Sequence, residues 1–437
     1  MSDHGAELKA RVLQLVRDYD KEVAERPFQP GVTPIWPSGA TLDANDRVAM
    51  VEAALDMRIT AGPSARKFER DFARTLGLRK AHLTNSGSSA NLLAMASLCQ
   101  PELGERRLRP GDEVITVAAG FPTTVNPIVQ CGLKPVFVDI ELGTYNTTAQ
   151  RVADAIGPRT KAVMIAHALG NPFEAREIAD LCDERGLLFV EDNCDGVGAS
   201  YRGELTGGFG DLSTVSFYPA HHITAGEGGC VLTDNLALAR VVESLRDWGR
   251  DCWCEPGESD TCHKRFGYRL GDLPEGYDHK YIFSHIGYNL KATDVQAALA
   301  SSQLTKLTEF GEARNRNWNR LRRGLEGVPH LLLPEATPGS EPSWFGFVLT
   351  IAEDAPFARS EIVKFLESRR IGTRLLFAGN LTRHPAYLGQ DFRVSGTLVN
   401  SDVVTERTFW IGVFPKITPE MIDYMVAAIR EFVGGHR

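Results

Sequence analysis

The 437-residue chain contains no apolar run of the roughly eighteen residues that a membrane-spanning helix requires. Its N-terminus, MSDHGAELKARVLQLVRDYDKEV, alternates charged and apolar residues at helical spacing and lacks the apolar stretch of a signal peptide. These absences predict a cytoplasmic protein with no membrane partner. There is no basic excess either. A formal net charge of −8 and a pI near 5.8 argue against a nucleic-acid partner, whose footprint is a basic patch. Eight cysteines in so long a cytoplasmic chain are read as buried thiols, metal ligands or catalytic groups rather than a disulfide framework. Internal repeats and low-complexity segments are missing too. What is present is 43% hydrophobic residues, enough for one large and one smaller core.

Short β-branched runs, DEVITV (112–117), KPVFVDI (134–140), KAVMIAH (161–167), LLFVED (187–192) and STVSF (213–217), alternate with amphipathic segments such as TTVNPIVQCG and EAREIADLCDERG. That rhythm predicts an α/β fold with a mainly parallel sheet covered by helices, and ligands at the carboxyl ends of its strands. The expected organisation is a helical arm (1–40), a large domain (41–310) and a smaller C-terminal α+β domain (311–437). The last is built on FGFVLTI, SEIVKFLESR and PEMIDYMVAAIREFV. A segment at about 251–283, rich in glycine and charge, is too long for a simple connector.

Three motifs carry chemistry. TNSGSSANLLAMASL places Gly87, Ser88 and Ser89 at a helix start, where free N–H groups favour a phosphate, although such a serine also serves as a plain N-cap. FVEDNCDGVGA ends a buried strand with Asp192, a carboxylate suited to a pyridinium nitrogen or to capping a helix. The third, SFYPAHHITAGEGG (216–229), resembles the active-site turn of pyridoxal-phosphate-dependent sugar aminotransferases, S-F-x-x-x-K-x-(I/V)-T-x-x-E-G-G. His221 stands at the lysine position.

The resemblance to the fold-type I aminotransferase superfamily spans about residues 50–437 and makes the large domain the cofactor-binding one. It implies that Asp192 pairs with the pyridinium, Phe121 in VAAGFPTTVNP stacks on the ring, Gly87, Ser88 and Ser216 hold the phosphate, and Asn289 in GYNLKATDVQAA reaches a neighbouring subunit's site. Lysine supplies the amine that bonds the cofactor aldehyde, and imidazole has none. The cofactor is therefore expected as pyridoxamine 5'-phosphate, held without a covalent link. A histidine near neutral pKa still moves protons, which points to dehydration rather than amino transfer. His222 is the alternative base; the register from Ser216 to the I-T-x-x-E-G-G ending favours His221.

Cys252, Cys254 and Cys262 form C-W-C-x7-C, and Cys194 precedes them by 57 intervening residues. Spacing alone leaves zinc, a [2Fe-2S] centre and unligated thiols open. The place of Cys194, two residues after Asp192, favours a cluster near the cofactor. With SFYPAHHIT, AAGFPTTVNP, RDWGRDC, GYDHKY and TRLLFAGNLTR, this spacing is similar to the CDP-4-keto-6-deoxyglucose 3-dehydrase family. The resemblance implies removal of the 3-hydroxyl of a nucleotide-linked 4-keto-6-deoxyhexose. His221 would be the base, and electrons would come through a [2Fe-2S] cluster from an NAD(P)H-dependent iron–sulfur flavoprotein reductase or a ferredoxin/reductase pair, in a homodimer. CDP-4-keto-6-deoxyglucose is the expected substrate. The alternatives are dTDP-4-keto-2,6-dideoxyglucose with the same mechanism, and a cluster-independent dehydrase with structural zinc. Cys99, Cys131, Cys182 and Cys230 lie in apolar contexts and are assigned to the core.

Overall fold

The computed structural model describes residues 2–23, 27–254 and 258–436. The expected arm therefore includes four residues outside the described set, 1 and 24–26, and the expected insert three, 255–257. Helix α1 (Asp3–Glu22) packs on α2 (Ala44–Leu55), followed by α3 (Pro63–Thr75). The large unit then alternates β1 (Lys80–Thr84), α4 (Gly87–Leu98), β2 (Glu113–Val117), α5 (Pro122–Gln130), β3 (Lys134–Val138), α6 (Ala149–Ala155), β4 (Thr160–Ala166), α7 (Ala175–Arg185) and β5 (Leu188–Asp192). A short pair, β6 (Ser200–Tyr201) and β7 (Glu204–Leu205), leads to β8 (Leu212–Ser216), β9 (Gly229–Thr233) and α8 (Leu236–Arg246). After the insert come α9 (Asp294–Leu304) and the long α10 (Leu307–Leu325).

The strands are apolar on both faces because helices cover both; β2, β5, β8 and β9 are buried at every position. Their order is β1-β9-β8-β5-β4-β2-β3, extended by the two-residue β14 (Arg393–Val394) beyond β3. The pairs from β8 to β14 are parallel, as expected, while β9 runs antiparallel to both β1 and β8. A 12-residue turn between β8 and β9, too short for a crossover helix, forces that reversal.

The C-terminal part contains β10 (Leu331–Leu332), β11 (Ser340–Glu341), β12 (Gly346–Ile351), α11 (Arg359–Ser368), β13 (Thr373–Leu375), α12 (Val399–Arg407), β15 (Thr408–Gly412) and α13 (Pro419–Gly434). Strands β10, β12, β15 and β13 form an antiparallel sheet with its own core against α10 and α13. Residues Trp344 and Phe345 enter β12 beside the turn after β8, so this part walls one side of the large sheet's carboxyl edge. Among the described residues no helix is long and apolar enough to cross a membrane.

Candidate active site

Asp192 ends β5 inside the fold. Its Oδ2 accepts from Asn91 Nδ2 at 2.9 Å and Thr124 Oγ1 at 2.7 Å, and its Oδ1 accepts from the Cys194 N–H at 3.1 Å. Asn91 is held in turn by Thr214 Oγ1 at 2.5 Å. Buried charge is costly unless it is hydrogen-bonded, and this carboxylate is bonded on both oxygens. Asn91 and Thr124 went unnoticed in the sequence. Each faces Asp192 only because α4 and α5 pack side by side over the sheet.

The helix start behaves as its sequence suggests. Ser86 is the N-cap of α4, its Oγ accepting from the Ser89 N–H at 3.0 Å. Gly87 lies against Ser216, where a Cβ on the glycine would sit 2.5 Å from the serine Cβ. Gly229 is equally tight, its missing Cβ falling 2.3 Å from the Ser86 carbonyl oxygen. Thus Gly87, Ser88 and Ser216 come together at one helix N-terminus, a cradle that backbone N–H groups and the helix dipole make attractive to a phosphate. Phe121 caps α5 at the same edge with half its surface exposed, a ring still free to cover another. Asn289 is exposed and bridges to Asp247, while the next residue, Leu290, accepts from Asn85 N–H at 2.7 Å.

His221 and His222 diverge. His222 is buried and donates Nε2–H to the Ser343 carbonyl at 2.6 Å; burial, with Arg314 nearby, pushes its pKa well down. That ring is a neutral structural group. His221 turns toward the cleft, with Nδ1 3.2 Å from Asp195 Oδ1 but not aligned for a hydrogen bond, and its ring 5.3 Å from that of Phe345. Arg314, fully buried, donates to the His221 carbonyl at 3.1 Å; burial lowers its pKa to about 10, opposed by Asp195. Asp195 was missed in the sequence, although it lies in the same NCDG turn as Cys194.

These residues fit a pyridine phosphate: a bonded carboxylate for the ring nitrogen, an exposed aromatic for its face, a glycine-lined helix start for the phosphate, and an imidazole where an anchor amine would stand. Of the four cysteines expected to hold a cluster, the structure gathers three. Cys252, Cys254 and Cys262 line one pocket with Asp260, Arg265, His279 and Lys280. Cys194 is not among them; its neighbours are Asp192 and Asp195, and burial with the Asp192 charge pushes its thiol well above the usual range. Cys194 follows β5, whereas the insert that carries the other three is rooted at the end of α8. Among the described residues no three His, Cys, Asp or Glu side chains are arranged to hold a metal ion. The neighbour that spacing did not reveal is His279, whose Nδ1 is 3.9 Å from Cys262 Sγ and whose Nε2 is 2.5 Å from Asp251 Oδ2.

Comparison with known proteins places this geometry. Residues 41–430 match the family described as DegT/DnrJ/EryC1/StrS aminotransferases. A dTDP-4-dehydro-2,6-dideoxy-D-glucose 3-dehydratase of Saccharopolyspora spinosa is 67% identical, covering 97% of this chain and 92% of its own. The lipopolysaccharide biosynthesis protein RfbH of Salmonella typhimurium is 51% identical, covering 98% of both. Among solved structures, an E. coli GDP-4-keto-6-deoxy-D-mannose-3-dehydratase with bound hydrated PLP superposes with a TM-score of 0.82 at 28% identity, covering 90% of this chain and 98% of that one.

Proposed function

The chain belongs to the DegT/DnrJ/EryC1/StrS aminotransferase family, and from that premise we propose that it is a pyridoxamine-phosphate-dependent 3-dehydratase of a nucleotide-linked 4-keto-6-deoxyhexose. The observation that carries the reading is His221 in place of an anchor lysine beside an otherwise complete cofactor cradle. The S. spinosa relative supports the alternative substrate, dTDP-4-keto-2,6-dideoxyglucose, over the expected CDP-4-keto-6-deoxyglucose. Overall, the 3-hydroxyl leaves as water while the sugar takes up two electrons and two protons from a reductase. An iron–sulfur centre on the cysteines is part of this reading.

Bound there, the cofactor supplies an amine to condense with the 4-ketone and a ring that draws electrons from the adjacent carbon. The chain's own groups do the rest. Asp192 keeps a proton on the ring nitrogen, oriented by Asn91 and Thr124. With Nδ1 facing Asp195, His221 has Nε2 left to take the methylene proton. No lysine at this turn competes for the aldehyde form, so amino transfer through a chain-bound cofactor is closed.

The test supplies purified protein with pyridoxamine phosphate, a reductase and either the dTDP- or the CDP-linked ketosugar. Formation of the 3-deoxy product from the dTDP sugar, and exchange of the cofactor's methylene hydrogen with solvent, are expected. An amino sugar as the product would overturn the assignment.

A further inference from the structure

The largest completely buried side chain among the described residues belongs to Arg314 of α10. Taking a guanidinium out of water is costly unless a carboxylate pairs with it, and an apolar residue of similar volume commonly serves a core better. Among the described residues no carboxylate makes an ion pair with Arg314; the charge of Asp195 acts on it through space. Its Nε is buried without a partner. Stability alone therefore does not account for a charge at this position.

What the guanidinium holds is backbone. Its Nη1 donates to the Trp344 and Phe345 carbonyls, both at 3.4 Å, and its Nη2 donates to the His221 carbonyl at 3.1 Å. The guanidinium carbon also lies 5.8 Å from the centre of the Phe345 ring, which is itself 5.3 Å from the His221 ring. Two supports of the imidazole, its own peptide and the ring beside it, thus meet at one planar fork. The rest of this wall is held independently of Arg314. Asn315 Nδ2 donates to the Pro342 carbonyl at 2.9 Å, His222 donates to the Ser343 carbonyl, and Trp318 stacks on Trp344 with ring centres 4.2 Å apart. Removing the guanidinium therefore leaves the wall in place and loosens chiefly His221.

We infer that Arg314 is a positioning residue for the proton transfer: by clamping the His221 carbonyl to the entry of β12, it keeps the imidazole at the angle from which Nε2 reaches the cofactor methylene. The inference rests on the proposed role of His221 and goes beyond it, since it assigns the geometry of the base to a buried residue on a different element.

Arg314→Met keeps most of the volume and removes the charge with all its donors. The first readout needs no cofactor: the Cε1–Hε1 resonance of His221, identified by its absence from His221→Asn, is expected to move in Arg314→Met while circular dichroism stays unchanged. With pyridoxamine phosphate saturating, exchange of its methylene hydrogen should fall about 10–100-fold, and the cofactor should bind as tightly as in wild type. Arg314→Lys keeps a charge but lacks the fork that reaches three carbonyls, and should retain part of the rate. A double-mutant cycle decides whether the effect runs through His221. Added to His221→Asn, Arg314→Met should lower exchange by less than about twofold. An equal loss in both backgrounds, an unmoved resonance or a wild-type exchange rate in Arg314→Met overturns the inference, as does a loss of cofactor affinity that matches the loss of rate. If Arg314→Met does not fold, Arg314→Lys enters the cycle in its place; if neither folds, the residue is structural and the inference falls. Wild-type protein with no methylene exchange removes the role of His221 itself, an outcome distinct from normal exchange in the Arg314 variants.

Discussion

The cofactor cleft and the cysteine insert both gather polar side chains on loops, yet they differ in what braces them. At the cleft both Asp192 oxygens are bonded, Asn91 is braced by Thr214, and Gly87 is pressed against Ser216. Three strands and two helices converge there, so the geometry exists before any ligand arrives. The insert is anchored chiefly at the end of α8, with His285 also paired to Glu102, gathers three thiols and leaves large aromatics in water. The cleft is preorganised by the sheet, while the insert is held from the end of α8 and keeps its aromatic rings at the surface.

The sharpest way to break that contrast is His221→Asn, which keeps a polar side chain in the cleft but removes the base. Methylene proton exchange should fall by about 10²–10⁴-fold with cofactor affinity retained; exchange at the wild-type rate would return the role to His222. Next in size is Asp192→Ala. Charge-assisted hydrogen bonds are each worth about 1.5–3 kcal/mol, so pyridoxamine phosphate should bind about 10–100-fold more weakly by equilibrium titration. Gly87→Ala drives a methyl into Ser216 and should cost about 1–3 kcal/mol in denaturant unfolding, with weaker binding of the phosphate.

Asp195→Asn keeps the shape but removes the charge facing His221. A roughly tenfold lower kcat with KM unchanged is expected in steady-state kinetics, a split that a merely structural role would not produce. The smallest effect concerns His222. Its pKa is lowered in the folded state by burial, so below about pH 6.5 the unfolded chain binds a proton that the folded chain refuses. That makes stability fall with acid by at most about 1.4 kcal/mol per pH unit. The drop in Tm between pH 7.5 and 5.5 should be shallower in His222→Gln.

Asp192, Ser216 and His221 were legible because each sits in a local motif whose neighbours in sequence are also its neighbours in space. Asn91, Thr124 and Arg314 were not, because they reach the cleft from α4, α5 and α10, and nothing in their local sequence marks the contact. The antiparallel β9 was hidden for a similar reason: GCVLT has the same apolar pattern as its parallel neighbours, and only the length of the preceding turn reveals its direction.

The residue order by itself determined the alternation of strands and helices, the phosphate-type helix start, the absence of an anchor lysine and the cysteine spacing, since these depend on propensity and chemical identity along a few consecutive positions. Tertiary structure alone decided which of two adjacent histidines faces the cleft and which is buried against Ser343. It also decided that Cys252, Cys254 and Cys262 line one pocket with His279, a neighbour their spacing does not show. The physical reason is the same in both cases: a side chain's direction and distant neighbours are set by the sheet order and by which helix anchors a loop, quantities that sequence spacing does not encode.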